Sequence, residues 1–150
     1  MDKPRKKVFV CSPFRPLSND PQTREAEKED NLRRARQGCR MVSDLGYIPI
    51  APHLYFPQFL DDGTEEERAI GIEMGLALLE KCDELWLFGD RITEGMAREI
   101  GRAAEQKIPI IIVHSLDLSD EDVSELLDSI HEMRAFGVKP PYRCNSTDRK

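Results

Sequence analysis

Long apolar runs are missing from this 150-residue chain. No stretch approaches the roughly 18 residues of a membrane span, and the basic start MDKPRKK leads into only about five apolar residues, too few for a signal peptide. An excess of positive charge is missing as well: 22 Lys and Arg against 28 Asp and Glu leave a formal charge of −6. That balance argues against sequence-independent binding to nucleic acid polymers or anionic membrane, which needs a basic surface. Cysteine is sparse and scattered. Cys11, Cys39, Cys82 and Cys144 form no CxxC pair, and no histidine stands at ligand spacing, so no zinc site is indicated. They read as three buried or half-buried thiols and one tail thiol in a reducing compartment. GxGxxG and GxxxxGK[ST] are absent too, so neither ATP nor NAD is indicated as a cofactor. What these absences leave is a cytoplasmic protein whose partners are small molecules.

What is present suits one domain: 39% hydrophobic residues over 150 positions give a full core. KVFVC reads as a strand, followed by a loop with three prolines, SPFRPLSNDPQ. From about Glu25 to Leu45, Leu32, Ala35, Cys39, Val42 and Leu45 recur at helical spacing, and Gly46 supplies the stop. A second strand, YIPIA, precedes the aromatic loop PHLYFPQFLDDG. Thr64, three residues before Glu67, makes a capping box for a helix running to about Lys81. The apolar residues of that helix fall on more than one face, which predicts burial on several sides, and Gly71 and Gly75 would let another backbone come close. DELWLFG is the third strand, Glu94 to Gln106 the next helix, and IPIIIV a fourth strand apolar enough to be covered on both faces. A last amphipathic helix spans Asp120 to Arg134 and ends before Gly137, leaving 138–150 as a loose tail on a core of about 7–134. The alternation predicts an α/β fold: a Rossmann-like three-layer sandwich with a mainly parallel sheet of four or five strands flanked by helices. Ligands of such sheets bind at the carboxyl ends of the strands, so the loops after Cys11, Ala51 and Gly89 hold the candidate site.

Glu99 stands out in the helix after the third strand. Met96, Ala97, Ile100, Ala103 and Ala104 form the core stripe, and Glu99 falls at its edge. A glutamate there either complements the helix dipole at a solvated edge or, held ionised by that dipole in a pocket, serves as a nucleophile. Thr93, Glu94 and Gly95 lie where backbone N–H groups are unpaired and can bind an anion. In the aromatic loop, Tyr55, Phe56 and Phe59 either stack on a nucleobase or plug the core, and His53 is placed to hydrogen-bond a base edge. Trp86 and Phe88 read as core.

Taken in order, VFVCSPFRP, GYIPIAPHLYFPQFLDD and CDELWLFGDRITEGMAREIGRAAEQKIPI resemble the nucleoside 2-deoxyribosyltransferase-like superfamily, most closely its DUF4406-type branch, over roughly residues 7–113. The most specific piece is Gly95, Glu99, Ile100, Gly101 and Ala103. The resemblance implies a Rossmann-like fold and an N-glycosidase of nucleosides or nucleoside 5′-monophosphates, either hydrolase or deoxyribosyltransferase, with Glu99 as nucleophile. Cleaving an N-glycosidic bond builds oxocarbenium-like charge on the sugar, which a carboxylate stabilises or traps. Thr93 stands where the transferases usually carry aspartate and the monophosphate hydrolases a hydroxyl; with Arg15 and Ser12 this implies a 5′-phosphorylated substrate. Phe14, His53, Asp62, Gly95 and Met96 complete the implied substrate-binding set. The acid that assists the leaving base in relatives aligns with Gly75. Glu73, two residues away, is the implied substitute, with Asp61, Asp62 and Asp90 as alternatives; each of these aspartates also suits a plain loop or turn role. A homo-oligomer, dimer or tetramer, is implied as well. Two other readings stay open: a nucleotide sensor that binds without turnover, and an NAD-type glycohydrolase, whose cationic leaving group needs no acid.

Overall fold

The computed structural model describes residues 5–89, 91–114 and 138–143. Five strands form one sheet: β1 (Lys7–Cys11), β2 (Ile48–Ile50), β3 (Glu84–Leu87), β4 (Ile110–His114) and β5 (Val138–Arg143), in the order β2-β1-β3-β4-β5. Every neighbouring pair is parallel. The alternation of side chains along each strand sorts the core into two layers. Val8, Val10, Trp86 and Val113 face α1 (Pro21–Asp44), with Val42 of that helix between them. Phe9, Cys11, Leu85, Leu87, Ile110 and Ile112 face the opposite layer. There Leu79 of α3 (Glu65–Leu79) and Met96, Ile100 and Ala103 of α4 (Glu94–Glu105) close over them. The expected α/β fold, a parallel sheet between helices, is what the chain adopts.

Several boundaries differ from expectation for identifiable reasons. Helix α1 begins at Pro21 rather than near Glu25: the Asp20 carboxylate accepts from Thr23 N, and Pro21 occupies the first helical position, where its missing N–H is no loss. Its buried stripe is Asn31, Ala35, Gly38 and Val42, whereas Leu32 and Cys39 are half-buried and Leu45 is exposed. Gly38 serves a close approach, since a Cβ there would lie 3.3 Å from the Phe88 ring. The aromatic loop is not wholly irregular: it winds into α2 (Pro52–Tyr55) and a 3₁₀ turn (Phe56–Gln58), each with a proline in its first turn. The expected capping contact at the start of α3 is present, Thr64 Oγ1 accepting from Glu67 N at 3.3 Å. That helix is not buried on several sides. Only Gly75 and Leu79 are buried, while Ile70 and Leu78 are exposed, because α3 lies over the sheet by one face and over the cleft described below.

The segment expected as a loose tail contains β5, which pairs with β4 from Ile110↔Val138 to His114↔Arg143. Pro140 and Pro141 disguise it in the sequence. Proline lacks the N–H of a ladder and is confined to edge strands and irregularities, and β5 is an edge strand whose register shifts opposite Ile111 and Val113. The predicted helix from Asp120 to Arg134, Asp90 and Cys144 lie outside the described residues. Of the remaining thiols, Cys11 and Cys82 are buried and Cys39 half-buried, all unpaired.

Candidate active site

The sheet order reverses between β1 and β3. The chain leaves β1 to one side through α1 and β2, then crosses back through α3 to β3 on the other side, so the loops at these two carboxyl ends diverge and open a crevice. A cleft of about 420 Å³ occupies it, within the usual size of small-molecule sites. Phe14 and Arg15 come from the loop after β1, His53 and Phe56 from the aromatic segment, Gly75 from α3, and Thr93, Gly95 and Glu99 from α4. Phe14 and His53 stack with ring centroids 4.8 Å apart and planes 7° from parallel. The backbone behind Phe14 is held from α1: buried Asn31 donates from Nδ2 to the Phe14 carbonyl at 3.1 Å. Asn31→Ala leaves that carbonyl without its donor, which costs about 1–3 kcal/mol. The expected result is a lower urea midpoint together with ligand affinity weakened severalfold; unchanged affinity would mean that the Phe14–His53 stack is positioned by other contacts.

Glu99 lines this cleft. It is only 9% exposed, Oε1 lies 3.5 Å from His53 Nε2, and Oε2 is buried without a hydrogen-bond partner among the described residues. Burial pushes its carboxyl up to about 8, while a hydrogen bond with the Cys11 thiol pulls the other way. The Cys11 thiol is itself pushed well above its ordinary value, first by burial and then by Glu99. Burial lowers His53 to about 4 against the opposing pull of Asp62. At neutral pH the contact between the two is therefore a carboxylic acid facing a neutral imidazole, not an ion pair. The expectation of a carboxylate held ionised by the helix dipole does not hold. Glu99 stands in the second turn of α4, beyond the first turn in which that dipole acts, so desolvation decides.

The other anticipated residues separate into those the cleft gathers and those it does not. Arg15 is in its wall, but its guanidinium is engaged by Asp62, from Nε to Oδ2 at 3.0 Å and from one terminal nitrogen to the Asp62 carbonyl at 3.1 Å. Thr93 is the N-cap of α4, its hydroxyl accepting from Met96 N at 3.2 Å. Ser12 is buried at the end of β1 with its hydroxyl unpartnered among the described residues, and it does not line the cleft. Met96 is a correction: its side chain is 1% exposed, within the core rather than in the cleft. Glu73 is another. It is exposed and outside the cleft wall, because two residues along a helix turn a side chain about 200° away, and Gly75 takes the wall position. Asp61 accepts from Gly63 N at 2.9 Å, a turn contact. Sequence reasoning missed Arg68, which lines the cleft without an ion pair among the described residues, and the contacts that Cys11, His53 and Asn31 make. Only Asn31 left a signal, a polar residue at helical spacing from Ala35, Gly38 and Val42.

Comparison with known proteins agrees with this architecture. The 2-deoxyribosyltransferase of Bacillus psychrosaccharolyticus superposes with a TM-score of 0.55 at 16% identity, covering 89% of this chain and 98% of that one. The CMP N-glycosidase of Clostridium botulinum gives 0.53 at 15% identity, covering 94% and 91%. At such identities the likeness is one of fold. No curated protein matches. The sequence model of a domain of unknown function, DUF7768, matches residues 6–113, which corrects the expected DUF4406 assignment: the quoted segments mark the general fold pattern, not one branch. By that match over most of its length, the chain belongs to the DUF7768 family.

Proposed function

We propose that this protein cleaves the N-glycosidic bond of a nucleoside or nucleoside 5′-monophosphate, with Glu99 as the nucleophile. The observation that carries the reading is a buried glutamate carboxyl in the wall of an apolar, aromatic-lined cleft, with one oxygen lacking any hydrogen-bond partner among the described residues. A structural glutamate would have its oxygens paired or solvated. An oxocarbenium-like sugar is a partner that a carboxylate with one unpaired oxygen would stabilise. The ring pair of Phe14 and His53, with Phe56, supplies surfaces for a base. A 5′-phosphate at the mouth would meet Arg68 and the first-turn N–H groups of α4, with Arg15 already shared with Asp62. The acceptor, water or a second base, separates hydrolase from transferase. Neither route draws on a cofactor, and a homo-oligomer is part of the same proposal.

Release of free base from a panel of ribo- and deoxyribonucleosides, their monophosphates and NAD, with and without an acceptor base, tests this. The expected result is turnover by the wild type and none by Glu99→Gln. One observation favours a second reading: no carboxylate stands at Gly75, and Glu73 points away. A ligand sensor needs no such acid, and an NAD-type substrate with a cationic leaving group needs none either. Tight binding without turnover supports the sensor; turnover of NAD alone supports the glycohydrolase.

A further inference from the structure

The cleft lacks an obvious acid for the departing base, yet it holds an imidazole nitrogen beside the nucleophile. The geometry points to His53 as the proton carrier of the site: it takes the proton of Glu99 and delivers it to the leaving base. This rests on the N-glycosidase reading above. His53 Nε2 is 3.5 Å from Glu99 Oε1, its ring is fixed by the stack on Phe14, and it lines the same cleft as Gly75. A contact of this length closes to hydrogen-bond distance with a small movement once substrate fills the cleft.

The proton count closes over one turnover. In the resting pair the proton is on Glu99. Its transfer to Nε2 leaves a carboxylate and an imidazolium. A carboxylate oxygen then bonds to the anomeric carbon as the carbon–nitrogen bond breaks; the electron pair goes to the base nitrogen, which takes the proton from Nε2. In the second half, water attacks the anomeric carbon, neutral Nε2 accepts its proton, and Glu99 leaves as carboxylate. Return of the proton from His53 to Glu99 restores the resting pair.

The other titratable groups around the pair do not replace His53. The Cys11 thiol, from β1, is raised well above its ordinary range and stays protonated behind Glu99. Asp62 is paired with Arg15, and on α4 Glu94 is paired with Arg98. Glu67 and Arg68 reach the cleft from α3; the first accepts from Thr64, and the second is a permanent cation. The pair should therefore work with one proton between them, over the window from about 4 to about 8.

The test compares wild type, His53→Gln and Glu99→Gln on two leaving groups: an ordinary pyrimidine or purine monophosphate, and an N7-methylated purine monophosphate whose cationic base departs without a proton. His53→Gln is expected to lose about 10²–10⁴-fold on the ordinary substrate and less than about tenfold on the methylated one, whereas Glu99→Gln loses both. The wild-type kcat/KM on the ordinary substrate should be bell-shaped with limbs near 4 and 8. On the methylated substrate it should rise through about 8 to a plateau. Equal losses by His53→Gln on both substrates, or an alkaline limb that survives the substitution, overturn the proposal; His53→Asn serves if the glutamine variant does not fold. If wild type turns over neither substrate, the glycosidase reading falls and the leaving-group role with it. Nitrogen NMR of the His53 ring then still reads the contact: a step near pH 8 that vanishes in Glu99→Gln shows the shared proton, and no step removes it.

Discussion

Glu99→Gln is expected to make the protein more stable at pH 8 by up to about 5 kcal/mol while lowering turnover by at least about 10³-fold. The folded-state pKa of Glu99 is raised from 4.5 to about 8, chiefly by burial. Below pH 4.5 the carboxyl is protonated in both folded and unfolded chains, and the burial carries no ionisation penalty. Between 4.5 and 8 the unfolded chain ionises while the folded one holds its proton, so stability drains away at up to about 1.4 kcal/mol per pH unit. Above 8 the difference is constant. Glutamine never titrates, and its amide can donate toward neutral His53 Nε2. The gain should thus be near zero at pH 4.5 and largest at pH 8 and above, on the order of 10 °C in melting temperature. His53 does not confound this comparison: its depressed pKa removes stability only as pH falls from 6.5 toward about 4. Melting curves of both proteins from pH 5 to 8.5 provide the check. A difference that does not grow with pH would mean that Glu99 ionises freely in the folded state and that the cleft is wet. A buried ionisable residue that destabilises its own fold is the expected signature of a functional group.

Why that residue could be found in the sequence, while its ionisation could not, follows from what each property depends on. The position of Glu99 at the edge of a core stripe depends only on helical spacing, and the strand that precedes it is apolar on both faces; both are local. The pKa depends on which loops close over the carboxyl, and those come from residues 11–15 and 52–57, far away in sequence. Helix position alone suggested the dipole as the dominant influence, and desolvation overrides it. The same division explains Glu73 and Gly75. Alignment by resemblance named the right wall of the cleft, but helical geometry turns Glu73 out of it. Met96 was visible as a core residue from its own stripe, and grouping it with the substrate contacts set that local signal aside. The sheet was legible from its apolar runs, except for β5, whose prolines mask an edge strand.

Gly89→Ala is expected to destabilise the fold by about 2–4 kcal/mol and to weaken ligand binding by tenfold or more, without altering any group that touches ligand. Gly89 follows β3 with φ of +113°, a region costly for residues with a Cβ. A Cβ there would also lie 3.0 Å from Pro13 Cδ and 3.3 Å from its Cγ. A pyrrolidine ring cannot swing aside as a flexible side chain does, so the loop after β1 must shift, carrying Ser12 and Phe14 with it. The two carboxyl ends that define the cleft are thus locked together at one glycine–proline contact. Gly101→Ala is the matched comparison: Gly101 lies within α4, nothing stands within 4 Å of its would-be Cβ, and alanine there should stabilise by up to about 1 kcal/mol. Urea midpoints and ligand affinity of the two variants separate the effects. If Gly89→Ala loses stability but retains affinity, the loop after β1 adjusts independently of β3, and the cleft is shaped chiefly by α4 and the aromatic segment. If both fall together while Gly101→Ala keeps both, the β1–β3 junction sets the geometry in which Phe14 meets His53 and His53 meets Glu99.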